Sequence, residues 1–271
     1  MRLLSFVFVG MIVCGSAPVV LGDPLPSPFD SERTRLVDLS LPLNEKTPVW
    51  PGERAVGFRL ETIDTLEKDG MLAGKFSMPE HMGTHIDAPN HFVAGQPGVE
   101  AIRAAQLFGP GVRIDMSVKA EQDADAMLTV ADLERWELRH GAIPKGAIVL
   151  LQTGWGRHVE NIARYQNRDA TGKLHFPGYS AEAAEWLVRE RDIRGLGIDT
   201  MSVDRGLSAK FEVHHVILKA GRYALENVTR LEDLPPREFG VIVAPIKIDG
   251  GSGGPTRIWA SVAKRPDDMR D

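Results

Sequence analysis

One stretch of eleven residues, HMGTHIDAPNH at positions 81–91, constrains this chain more than any other feature. Three of the eight histidines and one aspartate lie in it, all at odd positions: His81, His85, Asp87 and His91. In an extended backbone alternate side chains project to the same side, so these four would share one face. On a helix Asp87 would point well away from His81 and His85, because each residue turns by about 100°. The stretch therefore predicts an extended ribbon and not a helix.

Two residues within this stretch shape how the ribbon runs. Gly83 has no side chain, which lets another backbone segment or a ligand approach closely. Pro89 cannot donate a hydrogen bond to a sheet, so we expect it to end the strand and turn His91 back toward the other three side chains. Both residues also argue against a continuous helix through the stretch.

Crowded imidazole and carboxylate groups are typical of a metal site. Histidine and aspartate together suit Zn²⁺, Mn²⁺ or Fe²⁺. The chain has one cysteine, Cys14, in a segment that we expect to be removed, so the mature protein has no sulfur ligand and no disulfide. Any metal must then be held by histidine, aspartate and glutamate. The alternative is a polar strand end whose histidines are scattered and solvated.

The first residues have the pattern of a signal peptide. Arg2 precedes an apolar run from Leu3 to Val13, and small residues follow through Gly22. The run is too short to span a bilayer, which needs about 20 residues. We therefore predict an exported protein, periplasmic or secreted, without stable membrane insertion; the alternative is an uncleaved, membrane-associated N-terminus. The expected organisation is signal peptide 1–22, linker 23–34 and a single domain 35–271.

Charge and hydrophobic patterning limit the partners and the fold class. The chain has 32 basic and 37 acidic residues without a basic run, which disfavours nucleic acid as a partner. Short apolar strands outnumber helices, so we predict an α/β fold, a mixed barrel-like sheet with few helices. The clearest helices are 130–140, with a capping box from Thr129 and Asp132, and 181–191, capped by Ser180.

Three loops also stand out in the sequence. Residues 109–111, Gly-Pro-Gly, predict a turn. Residues 157–177 are predicted to be irregular, as a lid or a dimer arm. Residues 250–254 match G-x-S-x-G, the serine-hydrolase elbow, but no histidine follows His215 and the next segment is strand-like. We therefore expect this glycine-rich loop to allow close backbone packing near a site or at a dimer contact.

Several polar residues later in the chain are further site candidates. Asp199 and Asp204 follow a buried strand, where such residues either support a site or cap turns. His214 or His215, with Glu226, forms a second group of possible metal ligands. Taken alone this second group is weak, because the residues are far apart in sequence.

The whole pattern resembles the cyclase family of metal-dependent hydrolases, which includes bacterial kynurenine formamidases and isatin hydrolases. The family motif H-x-G-T-H-x-D-x-P-x-H stands at residues 81–91 without a departure. The resemblance also covers the Pro-Val-Trp-Pro-Gly segment at 48–52, the strand end at 197–199 and the terminal glycine-rich loop. It spans nearly all of the expected mature chain.

The resemblance implies a swivelling β/β/α fold, a homodimer and one or two divalent metal ions, Zn²⁺ or Mn²⁺. It implies that His91 acts as general acid and base and that Trp50 contacts the substrate. His214 is preferred to His215 because its spacing to Glu226 fits the family. The implied metal ligands are His81, His85 and Asp87 for one ion, with His214 and Glu226 completing a second site.

The implied activity is cleavage of a C–N amide bond in a small molecule by metal-activated water. The substrate would be an aryl formamide such as N-formylkynurenine, or a cyclic amide such as isatin. Two alternatives stay open at this point: a lactone or ester hydrolase of the same family, and a non-enzymatic exported metal-binding protein. The sequence chooses neither the substrate nor the metal.

Overall fold

The fold is described from a computed structural model, which covers residues 30–52 and 57–264. The predicted signal peptide 1–22 lies outside the described residues, as does the predicted linker up to residue 29. Across the described ranges, no helix combines the length and the apolar character that crossing a bilayer requires.

Twelve strands and six helices make up the described chain. The strands are β1 Thr34–Asp38, β2 Arg59–Asp64, β3 Ala73–Ser77, β4 His85–Asp87, β5 Phe108–Asp115, β6 Met127–Leu128, β7 Ile148–Gln152, β8 Gly178–Tyr179, β9 Gly195–Ile198, β10 Tyr223–Glu226, β11 Phe239–Pro245 and β12 Gly253–Ala263. The helices are α1 Leu66–Asp69, α2 Ser117–Gln122, α3 Val130–His140, α4 Ile162–Gln166, α5 Ala181–Arg191 and α6 Glu212–Lys219.

A closed sheet forms the centre of the fold. The eight strands of this sheet follow the order β1-β12-β11-β5-β7-β9-β10-β4. Because β12 also pairs with β4, the seven strands other than β1 close into a barrel. β5, β7, β9 and β10 are mutually parallel, whereas β4, β11 and β12 join by antiparallel pairing. The prediction of a mixed α/β fold with a barrel-like sheet and few helices is confirmed.

The central strands separate two hydrophobic cores. Along β7, Ile148 and Leu150 belong to the core that also contains Tyr223 of β10 and side chains of β4, β11 and β12. Val149 and Leu151 belong to a second core, which the helices cover. Because successive strand residues point to opposite faces, a continuous apolar strand serves both cores at once.

The helix predictions are confirmed at their ends. Oγ1 of Thr129 accepts the N–H of Asp132 at 3.3 Å, and Oδ2 of Asp132 accepts the N–H of Thr129 at 2.9 Å, which completes the capping box of α3. α3 ends at Gly141, whose φ is +83°. Oγ of Ser180 accepts the N–H of Ala183 at 3.1 Å and caps α5. These signals are local, so sequence alone sufficed for them.

The turn predicted at residues 109–111 is wrong. These residues lie inside β5, where Gly111 pairs with Phe239 of β11. A Cβ on Gly111 would collide with the Phe239 ring. The glycine is there to make room for an aromatic side chain across the strand pair, which is a tertiary reason that no turn propensity reveals.

The segment at residues 157–177 is mostly irregular, as predicted, but it is anchored in the molecule. It contains α4, and its Tyr165 and Phe176 are fully buried. Both pack in a small cluster with Trp155 and Met201. This segment therefore contributes to the interior of its own chain.

Candidate metal centre

Strand pairing places three of the predicted ligands on one face of the barrel wall. β4 lies between β10 and β12 and is antiparallel to both. His85 lies directly opposite Glu226, and Asp87 lies two residues further along β4, so its side chain points to the same face. The alternation expected from the sequence thus holds for His85 and Asp87.

The carboxylate of Asp87 joins the predicted ligands into two overlapping groups. Its Oδ1 lies 2.6 Å from Nδ1 of His81 and 3.3 Å from Nε2 of His85. Its Oδ2 lies 3.3 Å from Nε2 of His214, and that nitrogen lies 3.2 Å from Oε1 of Glu226. In each group, His81–His85–Asp87 and Asp87–His214–Glu226, the possible ligand atoms lie within 4.8 Å of one another. The structure therefore brings all five predicted ligands together.

His91 reaches the centre through the turn predicted at Pro89 and not along the strand. The expectation that a single extended ribbon carries all four side chains is wrong, because the strand covers only His85–Asp87 and Pro89–His91 forms a 3-10 turn. Pro89 ends the strand, as expected. The turn brings the His91 ring onto that of His81, with the centroids 3.8 Å apart. Among the described residues, His91 belongs to neither ligand group.

Gly83 allows the loop that carries Trp50 to pack against the centre. Its φ is +61°, in the left-handed region, and a Cβ there would lie 2.6 Å from Cγ2 of Thr47. The Gly83 N–H donates to the carbonyl oxygen of Pro48 at 3.0 Å. The predicted close approach at this glycine is confirmed, and it places Trp50 beside the ligands.

In His81 and His85, the ring nitrogen that points away from Asp87 has a fixed hydrogen-bond partner. Nδ1 of His85 lies 2.9 Å from the carbonyl oxygen of Gly83. Because this oxygen can only accept a hydrogen bond, Nδ1 carries the proton and the lone pair of Nε2 is available to a metal ion. Nε2 of His81 lies 2.8 Å from Oγ of Ser252, which leaves Nδ1 directed at Asp87. Such partners set the tautomer and the ring orientation of a metal-binding histidine.

Asp204 holds His214 in the same way. Its Oδ2 lies 2.6 Å from Nδ1 of His214, and its Oδ1 accepts the N–H of Val213 at 2.9 Å. Of the two roles open to the strand-end aspartates, Asp204 therefore has the supporting one. Asp199 has the other, because its Oδ1 accepts the N–H of Thr153 at 2.9 Å. His215 is exposed and lies outside both ligand groups.

The glycine-rich loop packs against the centre from the β12 side. Gly253 pairs with Asp87, and a Cβ on Gly253 would collide with the backbone of Ile86 and the ring of His81. Oγ of Ser252 donates to Oε2 of Glu80 at 2.6 Å. The expected close backbone packing near the site is confirmed. Ser252 was not predicted as a partner of His81, because its neighbour is distant in sequence.

Buried carboxylates make the centre favourable for positive charge. Burial lowers the pKa of His85, but Asp87 and Glu226 outweigh it and raise that pKa to about 9. Burial raises the pKa of Asp87, but His85 and His214 hold it well below its usual range. Burial lowers the pKa of His91 to about 4, so its imidazole is neutral near pH 7. A bound cation would offset the negative charge of the buried carboxylates, whereas the neutral imidazole of His91 can accept a proton.

The ligands line one end of a cavity of about 270 Å³. Its other walls are mostly apolar: the Trp50 ring has its edge against Phe211, with centroids 5.8 Å apart, and Phe92 and Met201 lie beside them. Ser202 and Asn227 add polar groups to the lining. Trp50 is 37% exposed, so one part of its ring borders solvent. Sequence reasoning missed Phe92, Phe211 and Met201, since single apolar residues carry no motif.

The donor set fits a divalent ion. It offers imidazole nitrogens and carboxylate oxygens, the ligands that Zn²⁺ and Mn²⁺ accept, and no thiolate. The overlapping groups share Asp87, whose two oxygens face opposite sets of histidines. The described residues can therefore hold one ion or two.

Known proteins share this sequence and fold. The Cyclase family model, described as "Putative cyclase", matches residues 37–205. An isatin hydrolase from Roseibium aggregatum is 32% identical over 193 residues, which cover 68% of this chain and 73% of that protein. A kynurenine formamidase from Bacillus cereus is 30% identical over 222 residues, which cover 82% of this chain and 94% of that protein.

The fold also matches a solved structure. Isatin hydrolase A from Ralstonia solanacearum is 36% identical and aligns with a TM-score of 0.80, over 84% of this chain and 92% of that chain. The prediction of a swivelling β/β/α, cyclase-like fold is thereby confirmed. All three relatives are enzymes that cleave a bond by hydrolysis, as their names state.

Proposed function

Because this chain belongs to the Cyclase family, we propose that it is a metal-dependent hydrolase that cleaves a C–N amide bond in a small aromatic molecule. One observation carries the proposal: two groups of histidine and carboxylate ligands share Asp87 at the end of an aromatic cavity. A binding protein for metal alone would not need that cavity or an uncommitted histidine beside it.

The ligands have distinct tasks in this proposal. His81, His85 and Asp87 would hold a divalent ion, and His214 and Glu226, with Asp87, would complete a second site. A bound ion would supply Lewis-acid polarisation of the substrate carbonyl and would lower the pKa of a water to about 7. The chain has to supply the remaining parts, which are proton transfer and orientation of the substrate.

His91 is the proposed general base and then the general acid. It is neutral near pH 7 and stacks on His81 without being one of the ligands. A ring nitrogen of His91 accepts the proton of the attacking water and returns it to the leaving nitrogen. Trp50, Phe92 and Phe211 bind the aromatic part of the substrate against the cavity wall.

The lining of the cavity favours a neutral, planar substrate. Of the described residues that line it, none is lysine or arginine. N-formylkynurenine carries a carboxylate and an ammonium group, and both would lose their hydration inside this cavity. No lysine or arginine among the described lining residues would compensate the charge of the carboxylate. Isatin is flat, bicyclic and uncharged. We therefore favour a cyclic aromatic amide of the isatin type over the aryl formamide.

A substrate panel tests this choice. The purified protein, loaded with Zn²⁺ or Mn²⁺, is assayed against isatin, N-formylkynurenine and an aromatic lactone. We expect ring opening of isatin to be fastest, a chelator to abolish it, and a serine-directed reagent to have no effect. Faster cleavage of N-formylkynurenine or the lactone would reassign the substrate. Tight metal binding without any hydrolysis would favour the non-enzymatic metal-binding alternative.

We also infer a homodimer formed through the β2–β3 hairpin. The hairpin has one apolar face, where Leu60 pairs with Phe76 and Phe58 stacks on Phe76, and one charged face, where Glu61 contacts Lys75 at 2.8 Å. A two-stranded hairpin alone is marginally stable in water. Its exposed apolar side chains include Leu60, Ile63, Leu66, Met71, Leu72 and Phe76.

The exposed apolar area of this hairpin indicates that a second copy of the chain covers it. Six large side chains, each more than half exposed, offer roughly 700 Å² per protomer, close to what one side of a standard interface buries. Light scattering on Leu60→Ser/Phe76→Ser should show a monomer where the wild type is a dimer. The same mass for both proteins would remove the hairpin as the interface.

Export is the last part of the proposal. It is supported by the apolar run from Leu3 to Val13, followed by small residues through Gly22. Mass spectrometry of the protein produced in its own type of cell should give a mature N-terminus near Asp23. An intact N-terminus on a protein recovered from inside the cell would contradict it.

A further inference from the structure

Tyr165 of α4, in the irregular segment that follows β7, contacts Asn227, the residue next to the proposed ligand Glu226. Its side chain is fully buried. Its hydroxyl lies 2.9 Å from Oδ1 of Asn227 and 3.1 Å from the carbonyl oxygen of Asp199, and both of these atoms can only accept. The hydroxyl therefore donates. Tyr165 itself neither lines the cavity nor belongs to a proposed ligand group, but its partner Asn227 is part of the cavity lining.

Asn227 is held at every polar group. Its N–H donates to the Thr200 carbonyl oxygen at 2.9 Å, and its own carbonyl oxygen accepts from Oγ1 of Thr84 at 2.7 Å. Its Nδ2 donates to the carbonyl oxygen of Gly83 at 2.9 Å. Its φ of +52° is in the left-handed region, which costs less for asparagine than for most residues. The residue directly follows Glu226, so this bonding fixes the end of β10.

The Gly83 carbonyl connects this network to the proposed ligands. It accepts from Nδ2 of Asn227 and from Nδ1 of His85, each at 2.9 Å. Because a carbonyl oxygen cannot donate, the amide nitrogen of Asn227 must face Gly83 and the amide oxygen must face Tyr165. The tyrosine hydroxyl is the donor that satisfies this oxygen and locks the amide in that orientation.

We propose that Tyr165 is a positioning residue for the metal centre, acting through Asn227 and the Gly83 carbonyl to set the orientation of His85. The inference rests on the proposed metal site. Without the hydroxyl, Oδ1 of Asn227 has no donor and the amide is no longer held in one orientation. The Gly83 carbonyl then loses a steady donor, and the ring of His85 is less firmly directed at Asp87 and Glu226.

A matched pair of variants tests the proposal. Tyr165→Phe removes the hydroxyl of interest. Tyr179→Phe removes an equally buried hydroxyl, whose partners are the carbonyl oxygens of Val149 and Gly197, at 3.1 and 3.0 Å. Each variant leaves two acceptors without their donor inside the protein, so the losses of stability should be similar. Only the first variant disturbs the path to His85.

The readouts are the affinity for Zn²⁺, measured by competition with a chromophoric chelator, and the melting temperature without metal. We expect Tyr165→Phe to bind Zn²⁺ about tenfold more weakly than the wild type. Tyr179→Phe should stay within about twofold, with a comparable fall in melting temperature. Circular dichroism on the same samples confirms that both variants are folded.

Two results would overturn the inference. One is an unchanged affinity in Tyr165→Phe; the other is an equal loss of affinity in both variants, which would mean that lost stability alone explains it. Failure of the proposed metal site gives a different result, because the wild type itself would then bind no Zn²⁺, and a wild type that binds Zn²⁺ without hydrolysing any substrate would reject the proposed function alone. If Tyr165→Phe does not fold while Tyr179→Phe does, the hydroxyl is structural and the positioning role is rejected.

Discussion

The two halves of the proposed metal centre contain the same chemistry but are built differently. One half is His85 and Asp87, which lie on the single short strand β4. The other is His214 and Glu226, which come from helix α6 and strand β10. In the first half the two-residue spacing sets the geometry. In the second half only the packing of the helix against the barrel brings the side chains together.

The halves also differ in what holds the histidine. Nδ1 of His85 bonds to a backbone carbonyl, that of Gly83, at 2.9 Å. Nδ1 of His214 bonds to a side chain, that of Asp204, at 2.6 Å. A backbone partner survives any substitution that leaves the chain path intact, whereas a side-chain partner is lost by a single change. The α6 half is therefore the one that a single change in the direct partner of its histidine can weaken.

The largest expected effect comes from Asp87, the residue that both ligand groups share. Asp87→Ala removes an oxygen ligand from each group. Metal analysis should show loss of bound ion, and hydrolysis should fall by about 10³-fold or more, since the metal's contribution is worth several kcal/mol. Asp115→Ala, a change at a carboxylate that is 46% exposed, is the control and should keep both. Retention of metal by Asp87→Ala would show that the halves do not depend on a common ligand.

The next effect separates proton transfer from metal binding. His91→Ala removes the proposed acid and base but no proposed ligand. Turnover should fall by about 10² to 10⁴-fold while metal content stays near that of the wild type. Activity that survives this change would refute the role of His91. Loss of metal along with activity would instead make His91 part of the ligand set.

A third change targets the α6 half alone. Asp204→Asn keeps the size of the side chain but weakens its bond to Nδ1 of His214 and removes its charge. Affinity for the metal should drop by about 10 to 100-fold, the range for loss of a group that orients a ligand. Chelator competition measures it. If the affinity is unchanged, the helix itself positions His214 and the side-chain partner is dispensable.

The smallest effect should leave both halves untouched. Burial raises the pKa of Asp132, but hydrogen bonds from Lys119 and Thr129 outweigh it and lower that pKa to about 2, from an ordinary value of 3.8. The folded form thus prefers the ionised carboxylate, which stabilises it fully above about pH 4. This stabilisation is lost as the pH falls through 2.

Asp132→Asn should therefore lower the free energy of unfolding by about 1 to 2 kcal/mol at pH 7, and by progressively less below pH 4. Denaturant titrations of both proteins at pH 7 and at several pH values below 4 measure this difference. Metal affinity should equal that of the wild type. A constant deficit down to pH 2 would show that the charge of Asp132 is not what stabilises the helix start.

Features with a local cause could be predicted from the amino-acid sequence alone. The alternation of His85 and Asp87, the strand end at Pro89 and the capping of α3 by Thr129 depend on residues a few positions apart. Each has one low-energy backbone solution, so the pattern is sufficient. His214, Glu226 and the cyclase-like fold have no such local cause, and they could be predicted only through the family resemblance that the dense motif at residues 81–91 carries.

Tertiary structure decided what depends on elements that meet only after the barrel closes. Pairing of β12 with β4 seats Ser252 against His81, and packing of α6 puts Asp204 behind His214. The network from Tyr165 to the Gly83 carbonyl likewise joins segments that are distant in the chain. Such contacts form wherever the fold leaves two surfaces facing each other, and spacing along the sequence carries no information about which surfaces those are.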